Sequence, residues 1–124
     1  MPPARRGRRI PPDVKVGVRG HFDSMHSLPG HPKCGVPHGH TYVVEAQVEG
    51  EPVGGIVVDF DALKSALREV LAPFDHADLN RLIRYPSCEA IAMEIHHRLK
   101  LRMEGRKVAV RVWEGEGKWA EFEA

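Results

Sequence analysis

Apolar and polar side chains alternate along two stretches of the chain, residues 14–26 and about 38–49. A period of two is typical of a β-strand that buries one face. If no bulge interrupts these strands, His26 lies on the apolar face at the end of the first. His38 and His40 are two residues apart and share the apolar face of the second. The pattern therefore predicts three histidines in phase with buried positions.

In the remainder of the chain the spacing of apolar residues changes, and the pattern predicts helices and further strands. Leucines and valines recur at helical spacing in two segments, and each segment is preceded by a residue that can cap a helix. The predicted elements are a short strand at 56–59, a helix capped by Asp59 or Asp61 and closed by Pro73, a helix capped by Ser87, and strands at 107–114 and 118–123. The order β-β-β-α-α-β-β predicts an α+β fold with an antiparallel sheet and two helices on one face.

Composition limits the possible functions. The chain has 124 residues and a formal net charge of +1, which predicts one domain over residues 14–124. The near-neutral charge argues against a general nucleic-acid binder, which needs a basic excess to neutralise phosphates. No apolar run reaches the length of about 20 residues that crosses a bilayer. Two cysteines without a secretory signal predict a cytoplasmic protein, and a Cys34–Cys88 disulfide is the alternative.

The basic residues are unevenly distributed along the chain. Four arginines lie in the segment 1–13, which also contains prolines and a glycine. Such a composition predicts a flexible, solvated tail, and the alternative is an arm that attracts anions. These arginines are Arg5, Arg6, Arg8 and Arg9.

Metal chemistry is predicted around the loop between the first two strands. Three neutral imidazoles, from His26, His38 and His40, can bind zinc and leave a fourth position open, as in catalytic sites. A thiol near a divalent cation ionises readily, so Cys34 in this loop could act as a base or nucleophile. Two alternatives are a closed structural site with Cys34 as the fourth ligand, and scattered histidines without a shared role.

Several ordered motifs resemble the 6-pyruvoyltetrahydropterin synthase / 6-carboxytetrahydropterin synthase family. They read H…C-G-x-x-H-G-H-x-Y, V-D-F-x-x-L-K, D-H-x-x-L-N and P-S-x-E, followed by a late glutamate. The resemblance implies the tunnelling fold (T-fold), a four-stranded antiparallel sheet with two helices, assembled as a trimer or a dimer of trimers with shared active sites. Cys34 stands four residues before His38, which favours the 6-carboxytetrahydropterin branch.

The resemblance also implies a zinc-dependent lyase and the roles of its residues. The substrate would be 7,8-dihydroneopterin triphosphate, and the product would be 6-carboxytetrahydropterin, formed with release of acetaldehyde and triphosphate and used in queuosine-type biosynthesis. Zinc would be bound by the three histidines. The other implied residues are Cys34, Asp75 and His76 in catalysis, Glu114 as the pterin anchor, and Ser87 and Cys88 in substrate contact.

Two other functions stay open from the sequence. The reaction could stop at 6-pyruvoyltetrahydropterin, the product of the other branch of the family. It could also be a zinc- and pterin-binding module without turnover. A carboxylate such as Glu114 is complementary to the donor edge of a pterin under all three hypotheses.

Overall fold

The computed structural model describes residues 13–103 and 105–124. The predicted basic segment 1–13 lies outside these residues, except for Asp13. The strands are β1 (Val14–His26), β2 (His38–Gly50), β3 (Lys107–Glu114) and β4 (Trp119–Glu123), and the helices are α1 (Phe60–Leu71) and α2 (Cys88–Lys100). Two short 3₁₀ turns, Ala72–Phe74 and Leu79–Arg81, lie between the helices. The predicted α+β class is confirmed.

The four strands form one antiparallel sheet in the order β1-β2-β3-β4. The pairing of β1 with β2 runs without interruption from Val14 opposite Gly50 to His26 opposite His38. Because no bulge breaks this register, the period of two is preserved to the end of β1, and His26 is buried on the core side with 1% of its surface exposed.

Both helices pack on the apolar face of the sheet and enclose the core. Phe22 and Tyr42 stack there with ring centroids 4.9 Å apart. Gly20 allows the close approach of α1, since a Cβ at this position would lie 3.1 Å from Leu71 Cδ1 and 3.3 Å from Leu67 Cδ2. Within the described residues, neither helix is long and apolar enough to span a bilayer.

The short strand predicted at 56–59 is wrong. Residues Val53 and Ile56 form only an isolated bridge, closed by Val53 N–H to Ile56 O at 2.9 Å and Ile56 N–H to Val53 O at 3.2 Å. Gly54 and Gly55 adopt positive φ of 61° and 84°, and these conformations make the turn tight. Asp59 then accepts from Asp61 N–H and caps α1, which leaves no length for a strand.

The segment after α1 returns to the sheet and covers the end of β1. Met25 N–H donates to Ala77 O at 3.0 Å, and Ser24 Oγ also donates to this carbonyl. Asn80 binds the main chain of Ser27 in both directions, at 2.8 and 2.9 Å. These contacts hold residues 75–80 beside the histidine end of the sheet.

Candidate metal centre and adjoining cleft

The three predicted histidines meet at one end of the sheet. His26 and His38 are directly opposite each other on β1 and β2, and His40 follows on the same face. One nitrogen from each ring contributes to a group of atoms that all lie within 4.8 Å of one another. The Nε2 atoms of His26 and His38 are 3.0 Å apart. Two ligands of one tetrahedral zinc ion would be about 3.4 Å apart, so the cluster fits such an ion.

Backbone carbonyls orient two of the rings. Nδ1 of His26 donates to Pro86 O at 2.7 Å, and Nδ1 of His38 donates to Val36 O at 2.7 Å. A carbonyl can only accept, so each Nδ1 carries the proton and each Nε2 presents a lone pair. Two facing lone pairs repel unless a cation lies between them, and this arrangement is usual for histidines that bind a metal.

The third imidazole, that of His40, is influenced mainly by its burial. Nε2 of His40 is buried and has no hydrogen-bond partner among the residues that the structure describes. Burial lowers the pKa of His40, and the Glu114 carboxylate only partly opposes this shift. His40 is therefore held in the neutral form that binds metals. Three neutral nitrogens are a donor set that suits zinc better than magnesium or calcium.

Glu114 closes the other side of the histidine cluster. Its carboxylate oxygens lie 3.7 Å from Nε2 of His26 and 3.7 Å from Nε2 of His40, and Oε1 is 3.8 Å from Nζ of Lys118. Only 14% of this side chain is exposed, as its inward phase on β3 predicts. A carboxylate at this depth needs hydrogen-bond donors or a cation to offset its desolvation.

A cleft of about 510 Å³ adjoins Glu114. Residues from the β1–β2 loop, the start of α2 and strand β4 form its walls. Its polar lining includes Cys34, Ser87, Cys88, Glu114 and Lys118. Five residues singled out by sequence or proximity therefore share one cleft beside the candidate metal centre.

Cys34 lies in this cleft on a loop that His31 organises. The main-chain N–H groups of Lys33 and Cys34 both donate to Nδ1 of His31, at 3.1 and 2.9 Å. Cys34 is half-buried and free, and its sulfur is not part of the group of ligand atoms within 4.8 Å. The described conformation thus differs from the closed structural site, in which Cys34 would be the fourth ligand.

Ser87 and Cys88 line the cleft, and each side chain makes a hydrogen bond to the main chain. Ser87 is the N-cap of α2, as predicted, and its Oγ accepts from Ala90 N–H at 3.1 Å. The thiol of Cys88 donates to Val112 O at 3.2 Å. Burial, together with the charge of Glu114, raises the pKa of Cys88 to about 11. Both thiols are free, so the disulfide alternative is not formed.

Asp75 and His76 lie side by side away from the cleft. Oδ2 of Asp75 lies 2.9 Å from Nδ1 of His76, and both side chains are exposed, at 46% and 80%. Main-chain N–H of Asp23 donates to Asp75 Oδ1 at 3.0 Å, and this bond and His76 lower the pKa of Asp75. His76 has a positive φ of 53°, and its N–H donates to Asp23 O at 2.6 Å. Strain of this kind in a residue other than glycine often marks a functional position.

Several groups of this region are not apparent from the sequence. The carbonyls of Val36 and Pro86 carry no side-chain signal. His31 has no strand phase, although its position three residues before Cys34 could have suggested a turn. Tyr42 follows the predicted strand pattern, but the burial of its hydroxyl without a partner in the described part of the chain is a tertiary feature.

Comparison with known sequences places this site in context. Residues 15–124 match the sequence family described as 6-pyruvoyl tetrahydropterin synthase (PTPS). A protein of Archaeoglobus fulgidus with the provisional name 6-carboxy-5,6,7,8-tetrahydropterin synthase is 44% identical over 112 residues, which are 89% of this chain and 96% of that protein. Dihydroneopterin monophosphate aldolase of Pyrococcus furiosus is 34% identical over 104 residues, which are 82% of this chain and 90% of the aldolase.

Solved structures share the architecture. The 6-pyruvoyl tetrahydropterin synthase of Caenorhabditis elegans aligns with a TM-score of 0.78 and 23% identity, over 92% of this chain and 97% of that chain. A catalytic-residue mutant of 6-pyruvoyltetrahydropterin synthase from Plasmodium vivax gives a TM-score of 0.79 with 19% identity, over 90% of this chain and 98% of that chain. At these identities the likeness concerns the fold, which is the four-stranded T-fold with two helices.

Proposed function

The chain belongs to the 6-pyruvoyl tetrahydropterin synthase family, and on that premise we propose that it is a zinc-dependent 6-carboxytetrahydropterin synthase. It would convert 7,8-dihydroneopterin triphosphate to 6-carboxytetrahydropterin, with release of acetaldehyde and triphosphate, in queuosine-type biosynthesis. The observation that carries the proposal is the convergence of His26, His38 and His40 beside Glu114 at one cleft.

The histidine cluster would hold the metal. His26 and His38 present Nε2 lone pairs because their Nδ1 protons are bound to carbonyls, and His40 is kept neutral by burial. When bound, zinc would supply a positive charge beside the side-chain hydroxyls of the substrate, which acidifies the adjacent C–H bonds.

Glu114 would anchor the pterin. The two oxygens of its carboxylate match the N3–H and 2-amino donors of the ring and can accept two parallel hydrogen bonds. These donors would supply the compensation that the largely buried carboxylate requires. The ring would then lie in the cleft that Cys34 also lines.

Proton transfer would involve Cys34 and the Asp75–His76 pair. As a thiolate, Cys34 would accept the proton from the substrate C–H bond and become a thiol. Asp75 holds the Nδ1 proton of His76, so that Nε2 of this imidazole is free to take up or release a proton. Since neither residue of the pair lines the cleft, we propose that a second copy of the chain supplies it, in a trimer or a dimer of trimers.

The test is mass spectrometry of the products after zinc-loaded protein is incubated with 7,8-dihydroneopterin triphosphate. Carboxytetrahydropterin together with acetaldehyde is the expected result. Pyruvoyltetrahydropterin would keep the family and move the chain to its other branch. Unchanged substrate at verified zinc stoichiometry would contradict the enzyme proposal. It would favour a non-catalytic zinc- and pterin-binding module.

A matched pair of variants tests the metal centre. His40→Ala should lose zinc and activity together, whereas His97→Ala, which changes an exposed histidine on α2, should retain both. If zinc content is equal in the two variants, the histidine cluster is not the metal site.

A further inference from the structure

The Tyr42 hydroxyl is a buried donor that the proposed mechanism does not use. The residue is 0% exposed, and its oxygen has no hydrogen-bond partner among the described residues. A buried polar group without a partner loses its hydration and gains nothing in return. Such a group in a native fold calls for a specific reason.

Only one other buried side-chain atom among the described residues lacks a partner, namely Nε2 of His40. The rings of His40 and Tyr42 are neighbours, with centroids 5.6 Å apart. A metal ion accounts for the histidine, because His40 is one of the three residues of the candidate metal group. It does not account for Tyr42, because a neutral phenol is not a usual zinc ligand. The hydroxyl therefore needs a different partner.

The position of Tyr42 indicates which partner this is. Tyr42 on β2 is directly opposite Glu114 on β3, so the two side chains lie next to each other on the same face. Glu114 lines the cleft and offers acceptors only. The hydroxyl of Tyr42 makes no hydrogen bond to the Glu114 carboxylate. The pair therefore places a buried donor beside the two acceptors of Glu114, which is the member of the pair that lines the cleft.

We propose that the hydroxyl of Tyr42 donates a hydrogen bond to an acceptor of the heterocycle whose donor edge Glu114 binds. This inference rests on the proposed function, because a pterin has the matching pattern. Its N3–H and 2-amino donors are flanked by the 4-oxo oxygen on one side and by N1 on the other. Tyr42 would thus select heterocycles with an acceptor next to the donor pair, and would fix the orientation of the ring.

The experiment compares Tyr42→Phe with the unaltered zinc-loaded protein. Calorimetry measures the dissociation constant for neopterin, and thermal unfolding is followed without ligand. The variant should bind neopterin about threefold to tenfold more weakly, which is the loss expected for one hydrogen bond. Its melting temperature should stay equal or rise, because the oxygen that is removed has no protein partner. Zinc content should not change.

Tyr85→Phe is the matched control, since Tyr85 is the chain's other tyrosine and is 44% exposed. It should bind neopterin like the unaltered protein. Equal affinity in Tyr42→Phe would overturn the inference, and so would a fall in melting temperature or zinc content, which would show a structural role. If the unaltered protein itself does not bind neopterin, the proposed function fails and this inference fails with it.

Discussion

Cys34 and Cys88 line the same cleft, and both are half-buried and free, but the fold holds their thiols in different ways. Cys34 belongs to a loop whose main chain is fixed by His31. Cys88 is the first residue of α2, and its thiol donates to Val112 O.

The difference shows that position in the sequence is a poor guide to thiol reactivity. A cysteine at a helix N-terminus usually has a lowered pKa, which would point to Cys88 as the reactive residue. Burial and the charge of Glu114 instead raise the pKa of Cys88 to about 11. Its proton is retained at neutral pH, so Cys88 is a poor base, and Cys34 is the better candidate for the role.

Replacement of each cysteine tests this contrast most strongly. Cys34→Ala should reduce kcat by about a thousandfold, the range for loss of a general base. Cys88→Ala should keep kcat within about threefold, since the protonated thiol that is lost is a poor base. Product formation is followed by mass spectrometry, with zinc content measured on each variant.

Two results would contradict the different roles assigned to Cys34 and Cys88. If Cys34→Ala releases zinc, the closed structural site with Cys34 as the fourth ligand becomes the better account. If Cys88→Ala loses as much activity as Cys34→Ala, the two thiols are not functionally distinct.

Alkylation should separate the two thiols directly. At pH 8, Cys88 should react with iodoacetamide about a hundredfold more slowly than glutathione, because a thiol with a pKa near 11 has little thiolate at this pH. The Cys88 rate should rise about tenfold for each unit of pH until the thiol is ionised. Peptide mapping assigns each site, and Cys34 should be labelled first. Faster labelling of Cys88 would contradict the assignment.

The role of the loop can be tested at His31. His31→Ala removes the acceptor of the Lys33 and Cys34 N–H groups, so the loop should lose its fixed position. We expect kcat to fall about tenfold through misplacement of the Cys34 sulfur, with zinc content unchanged. His97→Ala serves as the control. Full activity in His31→Ala would mean that the loop needs no such support.

The smallest effect concerns stability at alkaline pH. Above about pH 9 the Cys88 thiol of the unfolded chain loses its proton, while the folded chain retains it until about pH 11. The unfolded state then binds fewer protons, so the free energy of unfolding falls as pH rises between these values, by about 1 kcal/mol for a half-buried thiol. Below pH 9 this group causes no change.

Urea denaturation of the unaltered protein and of Cys88→Ala measures this alkaline loss of stability. Every other titrating group is common to the two proteins. The unfolding free energy of the unaltered protein, minus that of Cys88→Ala, should fall from pH 9 to pH 11. A constant difference would show that Cys88 has no raised pKa.

Much of the fold and of the candidate site is predictable from local pattern. Alternation along β1 and β2 places His26, His38 and His40 on the buried face, and the prediction is confirmed because the β1–β2 register contains no bulge. The N-cap at Ser87 is also local, since it depends on a hydroxyl just before an apolar repeat. The strand predicted at 56–59 is wrong because a short apolar run cannot reveal that the chain turns there.

The remaining features depend on residues far apart in the sequence. Pro86 is 60 residues from His26, and its carbonyl nevertheless decides which nitrogen of that ring is free. Asp23 is 52 residues from Asp75, and its main chain holds the Asp75–His76 pair. No periodic pattern encodes such contacts, because backbone donors and acceptors are the same in every residue.

The chain alone therefore establishes which faces are buried and which chemical groups are available, since both follow from the period and the residue type. The packing of the sheet against the helices decides the rest: which lone pairs face each other, which thiol keeps its proton, and which hydroxyl lacks a partner. These properties depend on burial and on the distance between groups, and both exist only once the chain has folded.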